Sequence, residues 1–151
     1  MKRSTTLLAV LALVGVLQAA APLAAHHQDA QESLYKRIGG YDAIAAVVDD
    51  FIGRLATDPQ LGRFFAGHST DSLKRIRQLV VDQLCEATGG PCYYTGRSMK
   101  ESHAGMKLTS AEWDKGVQHL TATLDKFKVG AREKQEILGA IGSLKGDIVE
   151  P

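Results

Sequence analysis

Apolar residues recur at helical spacing through most of this 151-residue chain, and this periodicity restricts the fold more than any other feature. Apolar positions i, i+3, i+4, i+7, i+8 and i+11 share one side of a helix that has 3.6 residues per turn. The clearest such stripe, in a helix predicted over 42–56, consists of Ile44, Val47, Val48, Phe51, Ile52 and Leu55. No segment alternates apolar and polar residues for long enough to predict a half-buried strand. The sequence therefore predicts an all-α domain.

Turn residues separate this helix from its neighbours. Gly39 and Gly40 end a short first helix, predicted over 33–38, because residues without a Cβ permit the tight turn that begins the next helix. Asp58 and Pro59 begin a short helical turn after the striped helix.

Three further helices follow in the second half of the chain. A helix over 72–87 is ended by Gly89-Gly90-Pro91, since glycine takes a left-handed cap and proline cannot continue the helix. Thr109 and Glu112 have the spacing of a capping box, which predicts a helix over 109–127. The last helix is predicted over 131–148. The residues expected to face inwards from these helices are Leu73, Ile76, Val80, Leu84, Trp113, Val117, Leu120, Leu124, Phe127, Ile137, Leu138, Ile141, Leu144 and Ile148.

The N-terminal residues have the pattern of a secretory signal peptide. Lys2 and Arg3 precede an uncharged apolar run over 7–21, and small residues follow as far as Ala25. We expect export and cleavage of residues 1–25. An uncleaved anchor is the alternative, although the run is short compared with the roughly 20 apolar residues of a membrane span.

Cleavage would leave a short extension over 26–32 ahead of a single domain over 33–151, in the periplasm or outside the cell. The two cysteines, Cys85 and Cys92, are separated by six residues. In an oxidising compartment they could close a small disulfide loop. Two free thiols, one on a helix and one in a loop, are equally consistent with the sequence.

Charge and motifs exclude several classes of function. The 18 basic and 17 acidic residues are interspersed, so no basic stripe predicts a nucleic-acid partner. The chain has no phosphate-binding loop, dinucleotide fingerprint, zinc-protease motif or nucleophile elbow. Composition alone would fit a small helical adaptor that binds no cofactor.

The segment over 94–106 carries a pattern suited to an axial haem ligand. Met99 lies four residues before His103 and Met106 three residues after it, so both could offer apolar contact to a flat macrocycle near the imidazole. The cations available to pair with the two propionates are Arg97, Lys100 and Lys107. The other histidines, expected to be solvated or hydrogen-bonded, are His26, His27, His68 and His119.

Short motifs along the chain resemble those of the first group of truncated haemoglobins. They are, in order, LYKRIGG at 34–40, VDDF at 48–51, DP at 58–59, FFAG at 64–67, GGP at 89–91, YTGRSM at 94–99 and HAGM at 103–106. The resemblance covers about 33–149. It implies a two-over-two helical sandwich that binds haem b, iron protoporphyrin IX, with His103 as the proximal ligand and a diatomic gas on the opposite side.

The segment around His103 and the resemblance together indicate which residues line the haem. They are Phe51, Ile52, Phe64, Phe65, Ile76, Val80, Gln83, Thr95, Arg97, Met99 and Met106. Many members of the group have a tyrosine after the phenylalanine of the second helix, where it donates a hydrogen bond to the gas. This chain has Ile52 at that position, so it departs from the family pattern on the ligand side.

The register of the helix over 72–87 can be counted in two ways. Counting back from Gly89 places Ile76 and Val80 opposite the gas, with Gln83 one turn further along; this count is preferred because it points one apolar stripe inwards. Counting forward from Phe64 would instead bring in Lys74, Arg77 or Gln78. The preferred count predicts a mainly apolar pocket.

These expectations favour an exported globin that reversibly binds oxygen, nitric oxide or carbon monoxide. The alternative is an enzyme that oxidises nitric oxide to nitrate or acts as a peroxidase. Such an enzyme would need an external electron donor, because the chain has no flavin or nicotinamide signature.

Overall fold

The computed structural model describes residues 32–150, which form helices joined by turns. The helices are α1 (Leu34–Arg37), α2 (Gly40–Thr57), α3 (Thr70–Ala87), α4 (Met99–His103), α5 (Ser110–Lys126), α6 (Ala131–Gly142) and α7 (Lys145–Ile148), with a 3₁₀ turn at Gly62–Phe64 between α2 and α3. The described residues contain no strand, which confirms the all-α prediction. The predicted signal peptide, and all of the 26–32 extension except its last residue, lie outside the described residues.

None of the helices within residues 32–150 combines the length and apolar character needed to cross a membrane. Helix α2 contacts α1, α3, α5 and the 3₁₀ turn, α5 contacts α6, and α4 contacts α7. Two packed pairs, α2 with α3 and α5 with α6, are therefore joined mainly through α2 and α5.

The glycine turn before α2 has the conformation that the sequence predicts. Gly39 has φ of +96° and Gly40 has φ of +77°, both in the left-handed region that favours glycine. The turn brings the hydroxyl of Tyr35 within 3.1 Å of the backbone N–H of Tyr41, which donates a hydrogen bond to it. A β-carbon on Gly40 would touch the Tyr35 ring at 3.6 Å.

The first part of the core lies between α2 and α3. Ile44 and Val48 of α2 are buried against Val81 and Cys85 of α3. Burying an aliphatic side chain of this size contributes about 1.5 to 3 kcal/mol. The half-buried residues packed around this cluster are Tyr35, Ile38, Ala45, Ile52, Val80, Leu84 and Cys92.

A polar cluster joins α2 to α5. Thr123 of α5 is fully buried, and its hydroxyl donates a hydrogen bond of 2.8 Å to the Asp50 carboxylate. Arg54 donates to the same carboxylate at 2.7 Å, and Lys126 pairs with its second oxygen. The bond from Arg54 is the largest of the effects, ahead of those from Lys126 and Thr123, that hold the pKa of Asp50 well below its usual range.

The capping box predicted at the start of α5 is present. The Thr109 hydroxyl accepts from the backbone N–H of Glu112, and the Glu112 carboxylate accepts from the backbone N–H of Thr109 at 2.9 Å. That backbone bond is the largest of the effects that lower the pKa of Glu112 to about 2, followed by a bond from Arg63.

At the other end of α5, the prediction that Phe127 faces inwards is wrong. The chain turns at Lys128, where φ is +56°, and Phe127 caps the helix with 38% of its surface exposed.

The last helix is interrupted, which corrects the prediction of one helix over 131–148. Helix α6 ends at Gly142, and the Ser143 hydroxyl donates to the carbonyl of Ala140 at 2.7 Å. The backbone N–H of Leu144 bonds to Ile141, three residues back, which is a tighter turn than an α-helix. Glycine weakens a helix by about 1 kcal/mol relative to alanine, and serine competes for the backbone, so this position breaks easily.

The structure decides between the two readings of the cysteines. Cys85 is bonded to Cys92, with 5.7 Å between their α-carbons. The loop between them closes tightly: a β-carbon on Gly90 would lie 2.5 Å from the Tyr35 ring and 2.7 Å from the Cys85 sulfur. The disulfide therefore ties the end of α3 to the segment that leads into α4.

Replacing Asp50 with asparagine tests the link between α2 and α5. We expect Asp50→Asn to lower the free energy of unfolding at neutral pH by about 1 to 2 kcal/mol, because the charge-assisted bonds from Arg54 and Lys126 are lost. The folded-state pKa of Asp50 is depressed, so its contribution is fully present above the unfolded value near 4 and is lost as pH falls through the folded value. Urea unfolding from pH 7 down to pH 3 measures this, and a wild-type advantage that does not shrink below about pH 4 would contradict it.

Candidate functional site

Helix α4 is one short turn that ends at His103. Ser98 begins it: the Ser98 hydroxyl accepts from the backbone N–H of Glu101 at 3.2 Å, and the Glu101 carboxylate accepts from the backbone N–H of Ser98 at 3.1 Å. The side-chain bond from Ser98 is the main cause of a lowered pKa at Glu101. This capping box has the S-x-x-E signature in the sequence, which could have predicted the start of the helix.

The ring of His103 is half-buried and held by the backbone one turn earlier. Its Nδ1 lies 2.8 Å from the carbonyl oxygen of Met99. Because a carbonyl oxygen can only accept, we infer that Nδ1 carries the proton. In neutral imidazole, Nε2 then holds the free lone pair, which is the form of histidine that binds a metal. The i to i−4 spacing of His103 and Met99 is the signal that could have predicted this bond.

The loop before α4 is organised by Tyr94. Its hydroxyl donates a hydrogen bond of 2.7 Å to the carbonyl oxygen of Arg97. A β-carbon on Gly96 would collide with that hydroxyl, so only glycine fits beneath the ring. The side chains of Thr95 and Arg97 are exposed on either side of this glycine.

Helix α3 presents two different faces. Val81 and Cys85 are fully buried against α2, although the sequence analysis did not place them among the inward residues. The residues that were predicted to face inwards, Leu73, Ile76, Val80 and Leu84, are half-buried. On a regular helix this stripe lies about a third of a turn from the buried face. The face of α3 that packs most tightly against α2 is therefore adjacent to the predicted stripe. The stripe itself keeps some exposed apolar surface.

Counting forward from Phe64 would bring Lys74, Arg77 or Gln78 of α3 to the gas. Two of these side chains bond to α2. The guanidinium of Arg77 donates two hydrogen bonds to Asp49 of α2, at 2.7 and 2.9 Å. The amide of Gln78 donates to the hydroxyl of Tyr41, also on α2, at 2.8 Å. Lys74 is exposed. These contacts turn the polar ends of Arg77 and Gln78 towards α2.

The apolar residues predicted to line the cofactor share an intermediate exposure. The half-buried members are Phe51, Ile52, Phe64, Phe65, Ile76, Val80, Met99 and Met106, together with the polar Gln83. Covering partly exposed apolar surface is favourable by about 25 cal/mol per Å². A flat, largely apolar macrocycle supplies such cover, and His103 offers a nitrogen lone pair. The residues present therefore fit a haem.

Two other histidines are used differently. The Nε2 of His119 donates to the carboxylate of Asp58 at 2.8 Å, and this bond is the largest cause of a lowered pKa at Asp58. The other oxygen of Asp58 accepts from the backbone N–H groups of Gln60 and Leu61. His119 therefore secures the turn after α2, while His68 is exposed.

Comparison with known proteins gives the family. A family model described as bacterial-like globin matches residues 33–150. Group 1 truncated hemoglobin GlbN of Mycolicibacterium paratuberculosis is 37% identical over 116 residues, which cover 77% of this chain and 83% of the relative. GlbN of Nostoc commune is 37% identical over 117 residues, 78% of this chain and 97% of the relative. The chain therefore belongs to the bacterial-like globin family, as a group 1 truncated haemoglobin.

Solved structures of related proteins share the fold. The truncated hemoglobin of Tetrahymena pyriformis is 28% identical, with a TM-score of 0.72 over 80% of this chain and 100% of the other. The 2/2 hemoglobin of a Synechococcus species, in a cyanomet state with covalently attached heme, is 27% identical, with a TM-score of 0.70 over 78% and 98% of the two chains. These likenesses confirm the predicted two-over-two helical fold.

Substitution of single histidines tests which one binds the cofactor. We expect His103→Ala to lose tightly held haem, or to hold haem whose spectrum is restored by added imidazole, because the substitution removes the free Nε2. His119→Ala should lower stability through the loss of the bond to Asp58 and leave the spectrum unchanged. His68→Ala is the matched control at an exposed site. Haem content per chain and the ferrous absorption spectrum are the measurements, and a His103→Ala protein with normal values for both would refute the assignment.

Proposed function

We propose that this protein is an exported haem globin that reversibly binds a diatomic gas, with His103 as the proximal ligand of haem b. Haem iron supplies the coordination position at which oxygen, nitric oxide or carbon monoxide can bind. The observation that carries the proposal is the hydrogen bond of Nδ1 of His103 to the carbonyl of Met99, which leaves Nε2 as the ligating nitrogen. Family membership and the half-buried apolar lining support it.

The partner of Nδ1 favours gas binding over peroxidase chemistry. A carboxylate on the second nitrogen of a metal-ligating histidine makes the ring a stronger donor, and strong proximal donation favours cleavage of an O–O bond. The Nδ1 of His103 donates instead to a neutral backbone carbonyl, which polarises the ring less. This arrangement suits reversible binding.

The opposite side of the pocket is proposed to be mainly apolar. Ile52 offers no hydrogen-bond donor, and Ile76 and Val80 present only hydrocarbon. Arg77 is engaged with α2, which leaves Gln83 as the polar side chain on or beside the stripe. A donor favours oxygen strongly, because a polarised oxygen accepts hydrogen bonds well, whereas carbon monoxide accepts them weakly. An apolar pocket therefore releases oxygen sooner and favours oxygen less over carbon monoxide.

The second candidate function is oxidation of nitric oxide, a neutral gas that an apolar pocket admits as readily as it admits oxygen. One nitric oxide, one dioxygen and one electron combine to give one nitrate, so each turnover consumes an electron. The electron must come from an external one-electron donor. Nitrate yield per nitric oxide consumed, measured with and without an added reductase, separates this enzyme from a carrier or sensor.

Introducing a tyrosine at position 52 tests the proposed pocket. Ile52→Tyr should place a hydroxyl on the ligand side and slow oxygen release about fivefold, the factor that corresponds to a neutral hydrogen bond of about 1 kcal/mol. Ile52→Phe is the matched control, because it adds the ring without the hydroxyl. Carbon monoxide release should change less than oxygen release.

Stopped-flow measurement of both off-rates on the purified protein decides the matter, after ferric, ferrous and carbon monoxide spectra have established that it binds haem. Slow oxygen release in the native protein, unchanged by Ile52→Tyr, would mean that another donor such as Gln83 already faces the gas.

Export is the remaining part of the proposal. The cations and apolar run at the N-terminus support it, as does the Cys85–Cys92 disulfide, since such bonds persist in oxidising compartments. We expect periplasmic protein to begin near His26 and to contain no titratable thiol without reductant. Leu13→Arg, which puts a charge into the apolar run, should retain the full-length chain in the cytoplasm. Recovery of full-length native chain only from the cytoplasm would contradict export.

A further inference from the structure

The C-terminal end of the described chain bonds to the loop that follows His103. The Glu150 carboxylate accepts a hydrogen bond of 2.6 Å from the backbone N–H of Gly105. The backbone N–H of Glu150 donates to the carbonyl oxygen of Leu108 at 3.0 Å. One residue thus holds the loop at two points, the first of them two residues beyond His103.

This loop has little support of its own. Helix α4 has five residues, and helices of that length are unstable in isolation. Gly105 has φ of +79°, and Lys107 has φ of +51°, a conformation that residues with a side chain adopt only when their surroundings enforce it. The strained Lys107 lies between the two positions that Glu150 holds. The contacts from Glu150 are therefore in the right place to enforce the turn.

Helix α7 places Glu150 at this loop. Ile148, the last residue of α7, is buried, and α7 contacts α4. A cleft of 370 Å³ nevertheless lies between them, with Lys100 and Ala104 on one side and Gly146 and Val149 on the other. Side-chain packing between the two helices is incomplete around this cleft, so the bond from Gly105 to Glu150 bears a larger share of the attachment.

We propose that Glu150 is a positioning residue for the iron ligand: by clamping the loop 104–108, it fixes the end of α4 and hence the direction of the His103 ring. This proposal rests on the proposed function of His103. Glu150 itself does not touch the cofactor in this role. It acts through the backbone that carries the histidine.

Replacing the Glu150 side chain with that of alanine tests the clamp, and the same replacement at Asp147, which lines the same cleft, is the matched control. Glu150→Ala should increase the rate of haem loss to excess apomyoglobin about fivefold, the factor equivalent to one hydrogen bond of about 1 kcal/mol. The iron–histidine stretching band of the ferrous protein, measured by resonance Raman, should shift or broaden. Glu150→Gln keeps an acceptor without the charge and should fall between Glu150→Ala and the native protein. Asp147→Ala, which removes a carboxylate that lines the same cleft, should match the native protein in both measurements.

A further measurement does not depend on haem. Hydrogen exchange at the Gly105 amide, followed in the protein as purified, should speed up in Glu150→Ala and not in Asp147→Ala. Faster exchange together with native haem loss and a native stretching band would overturn the positioning role, as would native exchange in Glu150→Ala. If the native protein holds no haem, the proposed function itself fails, and the exchange data still show whether Glu150 clamps the loop. Urea midpoints confirm that each variant is folded.

Discussion

The packing of α2 against both α3 and α5 is the constraint on which the rest of the structure depends. On one side, Val48 is buried against Val81 by purely apolar contact. On another, the Asp50 carboxylate accepts a hydrogen bond from the hydroxyl of the buried Thr123, so the polar groups on that side are paired only in one register. Ile52, four residues after Val48, is half-buried at the margin of the first of these contacts. The surface available to a cofactor is thus the apolar remainder of two helices already fixed by other contacts.

Local sequence signals predicted most of the helices, and the errors occurred where tertiary contacts or competing turns decide. Gly39-Gly40 and the Thr109 capping box gave correct boundaries because each satisfies the backbone with neighbouring residues. Periodicity continued through Ser143, where the backbone breaks, because an apolar stripe does not report a local turn. It also favoured the stripe of α3 that contains Val80 over the adjacent face that is buried most tightly, since Lys74 and Gln78 lie at helical spacing from Val81 and make that face look polar.

The candidate site was predictable in part. The choice of His103 as the ligand follows from the segment itself, and the backbone carbonyl that sets its tautomer belongs to Met99, four residues earlier. The contribution of Glu150 could not be predicted, because it lies 45 residues from Gly105 and a single long-range bond leaves no periodic or motif signature. The pairing of Arg77 with Asp49 of α2 was unpredictable for a similar reason, because the sequence shows both residues but not that their helices pack together.

That pairing also bears on whether a cation could swing towards a bound gas. The side chains of Arg77 and Asp49 are 30% and 58% exposed, and a surface ion pair of this kind contributes about 0 to 1 kcal/mol. The ion pair alone is therefore too weak to hold Arg77 away from the pocket. Position on the helix does not separate Arg77 from the stripe either, because Arg77 lies four residues after Leu73 and three before Val80 and so shares a face with them. The proposed apolar character of the ligand side therefore depends on the packing of α3 against α2, where Arg77 finds Asp49, and a substitution that weakened this packing would change the pocket without altering any residue proposed to line it.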